Sequence, residues 1–332
     1  SDIITGVNGK GIYAQNSDIN LMGGDYVIET PEKGIGIFAS GSTNVNGILE
    51  YKYNGSTTGT GMGIVYDSAV TNNANVKLTN ATNTTGGMIG VYATATSGTF
   101  TNNGNITGSS SALEFGIVSD GVNVVNAGNI TLGNSASLSN PNVAMYTNAS
   151  SAGENTGNIT VGDNAVGMYG YEENSNGNIT VGNGSIAMYS KGGNVNVAGS
   201  ITTGNSGESV GVYTVGNGQT ITSTADVQLG NSKSYGFVIK GSGTNADIND
   251  ADGTKLNNES VFMYSSDKTS NVVNRTALES TGNKNYGLYS SGNVKNLADI
   301  NFGIGLGNVG IFSVEDGTAV NGDPGLATQP VI

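Results

Sequence analysis

The stretch ADINDADG (246–253) puts Asp247, Asp250 and Asp252 within six residues, the densest group of carboxylates in the chain. Grouped acids can hold a hard cation, or supply acid and base across a glycosidic bond. The tail Asp250-Ala251-Asp252-Gly253 resembles part of a calcium loop, but Ala251 stands at the fifth position, where a ligand oxygen is needed. A solvated loop is the preferred reading, with a calcium site near Asp250 as the alternative. A second acidic pair, Glu172–Glu173, reads as a charged surface turn, or as a grip for a cationic partner. The remaining acids are scattered. The chain has no histidine and no cysteine, which removes Ser–His and Cys–His nucleophiles and the usual zinc ligand sets. No Walker loop or calcium-binding nonapeptide repeat is present. The sequence therefore predicts no enzyme, no catalytic residue, no cofactor and no metal.

Charge narrows the partners. With 12 basic and 25 acidic residues, the net charge is 12 − 25 = −13. Arg275 is the sole arginine, and no basic residue lies between Lys77 and Lys191. Phosphate backbones and anionic membranes both demand basic side chains, so nucleic acid and direct membrane binding are excluded as expectations. No apolar run is long enough to span a bilayer as a helix. The opening SDIITG shows neither Met nor a signal peptide, so residues 1–332 read as one repeat array, a segment of a longer exported chain.

The 54 glycines and abundant Asn, Ser and Thr punctuate a repeat. An apolar–small–aliphatic–aromatic unit recurs thirteen times, 20 to 28 residues apart, from KGIY (10–13) through IGIF (35–38), VGMY (166–169) and IAMY (186–189) to VGIF (309–312). A second unit, GNIT, stands at 104–107, 128–131, 157–160 and 177–180. A third is apolar–Asn–apolar, as in VNV (195–197). Three short period-2 segments per repeat, separated by Gly and Asn, predict three strands and three turns. The fold expected is all-β: a right-handed parallel β-helix (β-solenoid) of about thirteen coils, each roughly 25 residues, rising about 60 Å at one strand spacing per coil. Stacked coils bury a common aliphatic column, and recurrent Asn can ladder its amide from coil to coil. The coil from Tyr169 to Tyr189 is the shortest because YEENSN stands where the third strand belongs.

Strict alternation along the aromatic unit turns positions one and three inward and positions two and four outward. That exposes an aromatic column including Tyr13, Phe38, Tyr92, Tyr264, Tyr289 and Phe312, interrupted by Val65, Val118 and Val238. Such a column either braces the sheet or serves as a platform for sugar or peptide. The residues proposed for partner contact are Tyr146, Tyr169, Tyr171, Glu172, Glu173, Tyr189 and Tyr213. The loops flanking the uncharged stretch GNSASLSNPN (133–142) are a second candidate for contact.

The alternation of VGMY-type and GNITVG-type units resembles the passenger of large monomeric (type Va) autotransporters, most of all the giant surface adhesins of oral fusobacteria. The resemblance runs from KGIY (10–13) to VGIF (309–312) and carries no binding motif across. It implies display at the cell surface, tethered to the outer membrane by a C-terminal barrel outside this segment. It implies adhesion by a monomer to a protein or glycan on another bacterial or host cell. A purely structural stalk and a glycan-processing β-helix enzyme are the alternatives.

Overall fold

The computed structural model describes residues 2–80, 86–108, 113–148 and 150–332, apart from the side chain of Asp25. The described residues are all-β, without a helix, and wind as a parallel β-solenoid of about twelve turns, about 25 residues apart. They fall into two compact units, Ser1–Tyr171 and Glu172–Ile332.

In the first unit the aromatic strands are Lys10–Gln15, Ile35–Ser40, Thr60–Tyr66, Gly87–Thr94, Glu114–Asp120, Val143–Thr147 and Val166–Gly170. Each pairs in parallel with the next, like on like: Ile117 with Met145, Met145 with Met168, Tyr146 with Tyr169. On the other side of the coil the earliest turns use long bent strands. Thr71–Asn80 pairs through Asn72 with Asn102 and through Val76 with Ile106, so its two halves meet two different strands of the next coil. Large aromatic side chains fill this end of the core: Tyr51, Tyr53 and Tyr66 are fully buried. Their hydroxyls are satisfied inside, Tyr51 by Thr30 Oγ1 at 2.6 Å, Tyr53 by the Ser56 carbonyl at 2.9 Å and Tyr66 by Asn72 Oδ1 at 2.8 Å. Burial pushes the Tyr51 hydroxyl well above its ordinary range.

The second unit repeats the scheme with aromatic strands Ile186–Ser190, Ser209–Thr214, Ser234–Ile239, Val261–Ser265, Tyr286–Ser290 and Val309–Ser313. The segment YEENSN does not lack its strand: Glu172–Ser175 is one, and pairs Glu173 with Val195 and Ser175 with Val197. The expectation that this coil loses a face is thus corrected. The corner before the aromatic strand carries residues in the left-handed region, Glu208 (φ 62°), Lys233 (φ 51°), Glu259 (φ 51°) and Lys284 (φ 57°). Their charges alternate along the coils, and the exposed Lys284 Nζ lies 3.5 Å from Glu259.

Asparagine ladders run inside the solenoid as well as outside it. The Asn72 amide donates to Asn102 Oδ1 at 2.7 Å, Asn102 to Asn126 at 2.8 Å and Asn126 to Asn155 at 2.9 Å, and all four side chains are fully buried. Each also donates to the carbonyl two residues on, closing the corner. The second unit has its own inner ladder, Asn274 to Asn296 at 2.8 Å and Asn296 to Asn321 at 2.8 Å. Outer ladders follow the same rule, as in Asn46 to Asn20 at 2.9 Å and Asn271 to Asn245 at 3.0 Å. These bonds recur because equivalent residues one coil apart stand at about the 4.8 Å strand spacing, which an amide spans.

The GNIT unit faces as expected: Ile159 and Val161 are buried and Thr160 is exposed. The aromatic unit does not follow strict alternation. Position two points inward: Ala144, Ala187 and Phe262 are fully buried, and Phe262 packs edge-on against Phe237 at 5.7 Å. At Gly116, a Cβ would come within 2.8 Å of the core methyl Cγ2 of Ile130. Position three is also inward, as with Ile37, Met168 and Leu288. Two consecutive inward residues mean a bend between them, and the Cα pairing from Phe115–Val143 to Ile117–Met145 passes over position two. Position one therefore lies on the outer side with the aromatic at position four, as the contact of Phe115 with Tyr146 shows.

Candidate functional site

The aromatic at position four faces outward throughout, and its rings stack along the coils. In the first unit Tyr13 stacks on Phe38 (centroids 5.6 Å apart, 16° between planes) and Tyr146 on Tyr169 (5.3 Å, 13°). In the second unit Tyr189 stacks on Tyr213 (5.2 Å, 11°), and Tyr264 leads through Tyr289 (5.2 Å, 38°) to Phe312 (4.9 Å, 43°). The parallel ladder forces this register, because each ring has its equivalent one coil away. Most of these rings are half-buried, with their outer edges left to solvent. Each stacked pair contributes about 0.5–1.5 kcal/mol beyond its buried area.

The residues proposed from sequence separate into three sets. Tyr146, Tyr169, Tyr189 and Tyr213 are rungs of the outer ladders. Tyr171 is 40% exposed at the close of the first unit, and Glu172, half-buried, opens the second, where the Asn174 amide reaches its Oε1 at 3.5 Å. Glu173 is a correction: it is fully buried, because its strand residue faces the core in register with Val195, so it cannot belong to an outer contact surface. The loop at 133–142 is pinned at its base by Asn142, whose amide donates to the Gly133 carbonyl at 3.0 Å, and it presents Leu138 at 44% exposure.

The acidic cluster resolves into structural roles. Asp247 forms a two-pronged pair with Arg275, at 2.8 and 3.1 Å. Asp250 is buried, and its oxygens accept from the Val227 N–H (3.1 Å), the Thr254 hydroxyl (2.9 Å) and the Asp252 N–H (3.0 Å). Burial raises its carboxyl above the ordinary range despite those donors. These oxygens already organise the turn. Among the described residues no three His, Cys, Asp or Glu side chains gather as a metal site would require.

Sequence reasoning treated Val238 only as an interruption of the column. In register it stands between Tyr213 and Tyr264, so one rung of the ladder is missing there. A groove of about 410 Å³ opens at this point. Val210 and Val238 form its apolar floor, and Tyr213, Tyr235 and Tyr264 its walls. Exposed Glu208 and Lys240 stand at its rim, with Lys240 Nζ 4.7 Å from the centre of the Tyr264 ring. Burial, then the charge of Glu208, then Tyr264 raises the Tyr235 hydroxyl above its ordinary range. The signal in the sequence was the pattern YGFV (235–238), which moves the aromatic from position four to position one.

Comparison of the chain with protein-family models, with curated proteins and with solved structures gives no match.

Proposed function

We propose that this chain is a surface-displayed adhesin segment, the passenger of a monomeric autotransporter, attaching its cell to a protein or glycan on another bacterial or host cell. The observation that carries the reading is the outward ladder of half-exposed aromatic rings on a repetitive parallel solenoid. Rings held by stacking are rigid and amphipathic, so they lose little entropy when a partner covers them. The acidic surface favours reach and solubility over nucleic acid or anionic membrane. Having neither histidine nor cysteine suits a binding role better than acyl or thiol chemistry. The Asn and Thr ladders on the outer faces favour a second reading, a spacer that holds a recognition domain away from the cell.

The test is attachment of beads coated with the 332-residue chain to bacterial and host cells, compared with Tyr169→Ala and Tyr189→Ala. The reading expects attachment by the parent chain and a several-fold loss in the variants. Unchanged attachment with unchanged circular dichroism would remove the aromatic face from the contact. No attachment to any cell type would leave the spacer.

A further inference from the structure

The gap at Val238 differs from the rest of the ladder in having polar groups around an apolar slot. Tyr213 is covered on one side by Tyr189, at 5.2 Å, and turns its other face toward the gap. Tyr264 is covered on one side by Tyr289, likewise at 5.2 Å, and on the side toward the gap carries the Lys240 ammonium, 4.7 Å from its ring centre. Val238 is buried, 6% exposed, and lies low between them at the floor of the groove. Two coils separate the facing tyrosines, about 9–10 Å at the normal strand spacing. A ring stacked on Tyr213 takes about 3.5–4 Å of that, and the Lys240 ammonium over Tyr264 takes the rest. The space is therefore that of one six-membered ring.

The rim decides which kind of ring. Tyr213, Tyr235, Tyr264, Glu208 and Lys240, each ending in a polar group, all line the groove. A phenyl ring would fill the slot but leave those groups unanswered. An anionic ring would face Glu208, and a cationic one would face Lys240. A neutral ring with flat C–H faces and hydroxyls around its edge matches both the walls and the rim.

We infer that the groove at Tyr213, Val238 and Tyr264 is a subsite for one neutral pyranose residue of a glycan. The sugar stacks on the open face of Tyr213, Glu208 accepts from its hydroxyls, and Lys240 donates from the Tyr264 side. This rests on the aromatic face being a recognition surface, and it names the ligand class at one place on it.

The test uses the 332-residue chain with methyl β-glucoside, methyl β-galactoside and methyl α-mannoside, each followed by saturation-transfer NMR. N-acetyl-tyrosine amide serves as the aromatic competitor. The deciding variant is Val238→Tyr, which restores the missing rung with a residue that neighbouring coils already carry, so the fold is kept. The expected result is millimolar binding of at least one glycoside, weakened at least ten-fold by Val238→Tyr and by Tyr213→Ala, and unchanged by Asn73→Ala at an exposed position of the first unit. Binding that Val238→Tyr leaves intact would overturn the assignment, as would no binding of any glycoside. Binding of the tyrosine amide alone would overturn it in favour of a peptide. Cell attachment that persists when the glycosides fail would sink the subsite while leaving adhesion by the rest of the face standing.

Discussion

Asn72 and Asn73 are neighbours in one strand and make the same kind of bond, yet their replacement by alanine should differ greatly. Asn72 is fully buried. Its amide donates to Asn102 Oδ1 (2.7 Å) and the Ala74 carbonyl (3.0 Å), and its oxygen accepts from the Tyr66 hydroxyl (2.8 Å) and the Ala74 N–H (3.2 Å). Asn72→Ala leaves the Tyr66 proton and the Asn102 oxygen buried without those partners. Each orphan costs about 1–3 kcal/mol, and the gain from no longer burying an amide offsets part of it, for a net loss of about 3–4 kcal/mol. Asn73 is exposed, donating to Asn46 Oδ1 at 3.1 Å and accepting from Asn103 at 3.0 Å. Water replaces both bonds, so Asn73→Ala should cost under about 0.5 kcal/mol. Urea denaturation followed by circular dichroism gives both values, and hydrogen exchange over residues 66–106 places the loss. Equal shifts for the two variants would refute the idea that the inner ladder, rather than amide stacking in general, holds the first unit together.

Phe262→Ala should destabilise the second unit by about 3–5 kcal/mol in the same assay, since position two faces the core against Phe237; a loss under about 1 kcal/mol would return that residue to the surface. Asp67 accepts from the Ser40 hydroxyl (2.7 Å), the Gly41 N–H (2.8 Å) and the Ser68 hydroxyl (3.0 Å); burial pulls its carboxyl upward, but these donors outweigh burial and hold it below the ordinary aspartate range. A folded value below the unfolded one means stability is present above the unfolded value and lost as pH falls below about 4, so Asp67→Asn should flatten the acid limb of a stability-against-pH curve. Arg275→Ala removes an ion pair that is about half exposed at both ends, 46% and 47%, and should cost under about 1 kcal/mol, with a difference that shrinks further in high salt.

The solenoid was legible because its two strongest signals repeat and agree. Ile and Val recur at alternate positions of GNITV, and Gly or Asn recurs where the coil turns, so one coil's pattern predicts the next. What alternation could not reveal is a bend inside a strand. Ala187 and Met188 are consecutive and both fully buried, which a period of two forbids. Glu173 was misplaced for a related reason. A carboxylate in a Gly- and Asn-rich stretch reads as a surface turn, and only the register with Val195 reveals that its strand position faces the core. Polarity is a weak guide in this chain because the core itself holds Asn, Ser and Thr that are bonded from coil to coil.

The same bend bears on the interruption of the aromatic column at Val238, where a groove lies. Val65, Val118 and Val238 each replace a ring, and each coil carries a larger side chain at position one: Met62, Phe115 and Tyr235. Because the bend turns position one outward, that side chain can lean toward the vacant rung. Phe115 does so, meeting Tyr146 edge-on at 6.3 Å. Tyr235 carries a hydroxyl that must stay hydrated or bonded, and Glu208 beside it raises the cost of losing that proton. Tyr235 therefore lines the space at Val238 rather than filling it. Tyr235→Phe removes that hydroxyl and should let the ring settle onto Val238, giving a smaller groove and weaker glycoside binding in the same NMR assay. A position that sequence alone treats as a flaw in a repeat is, on this account, where the repeat becomes able to discriminate between ligands.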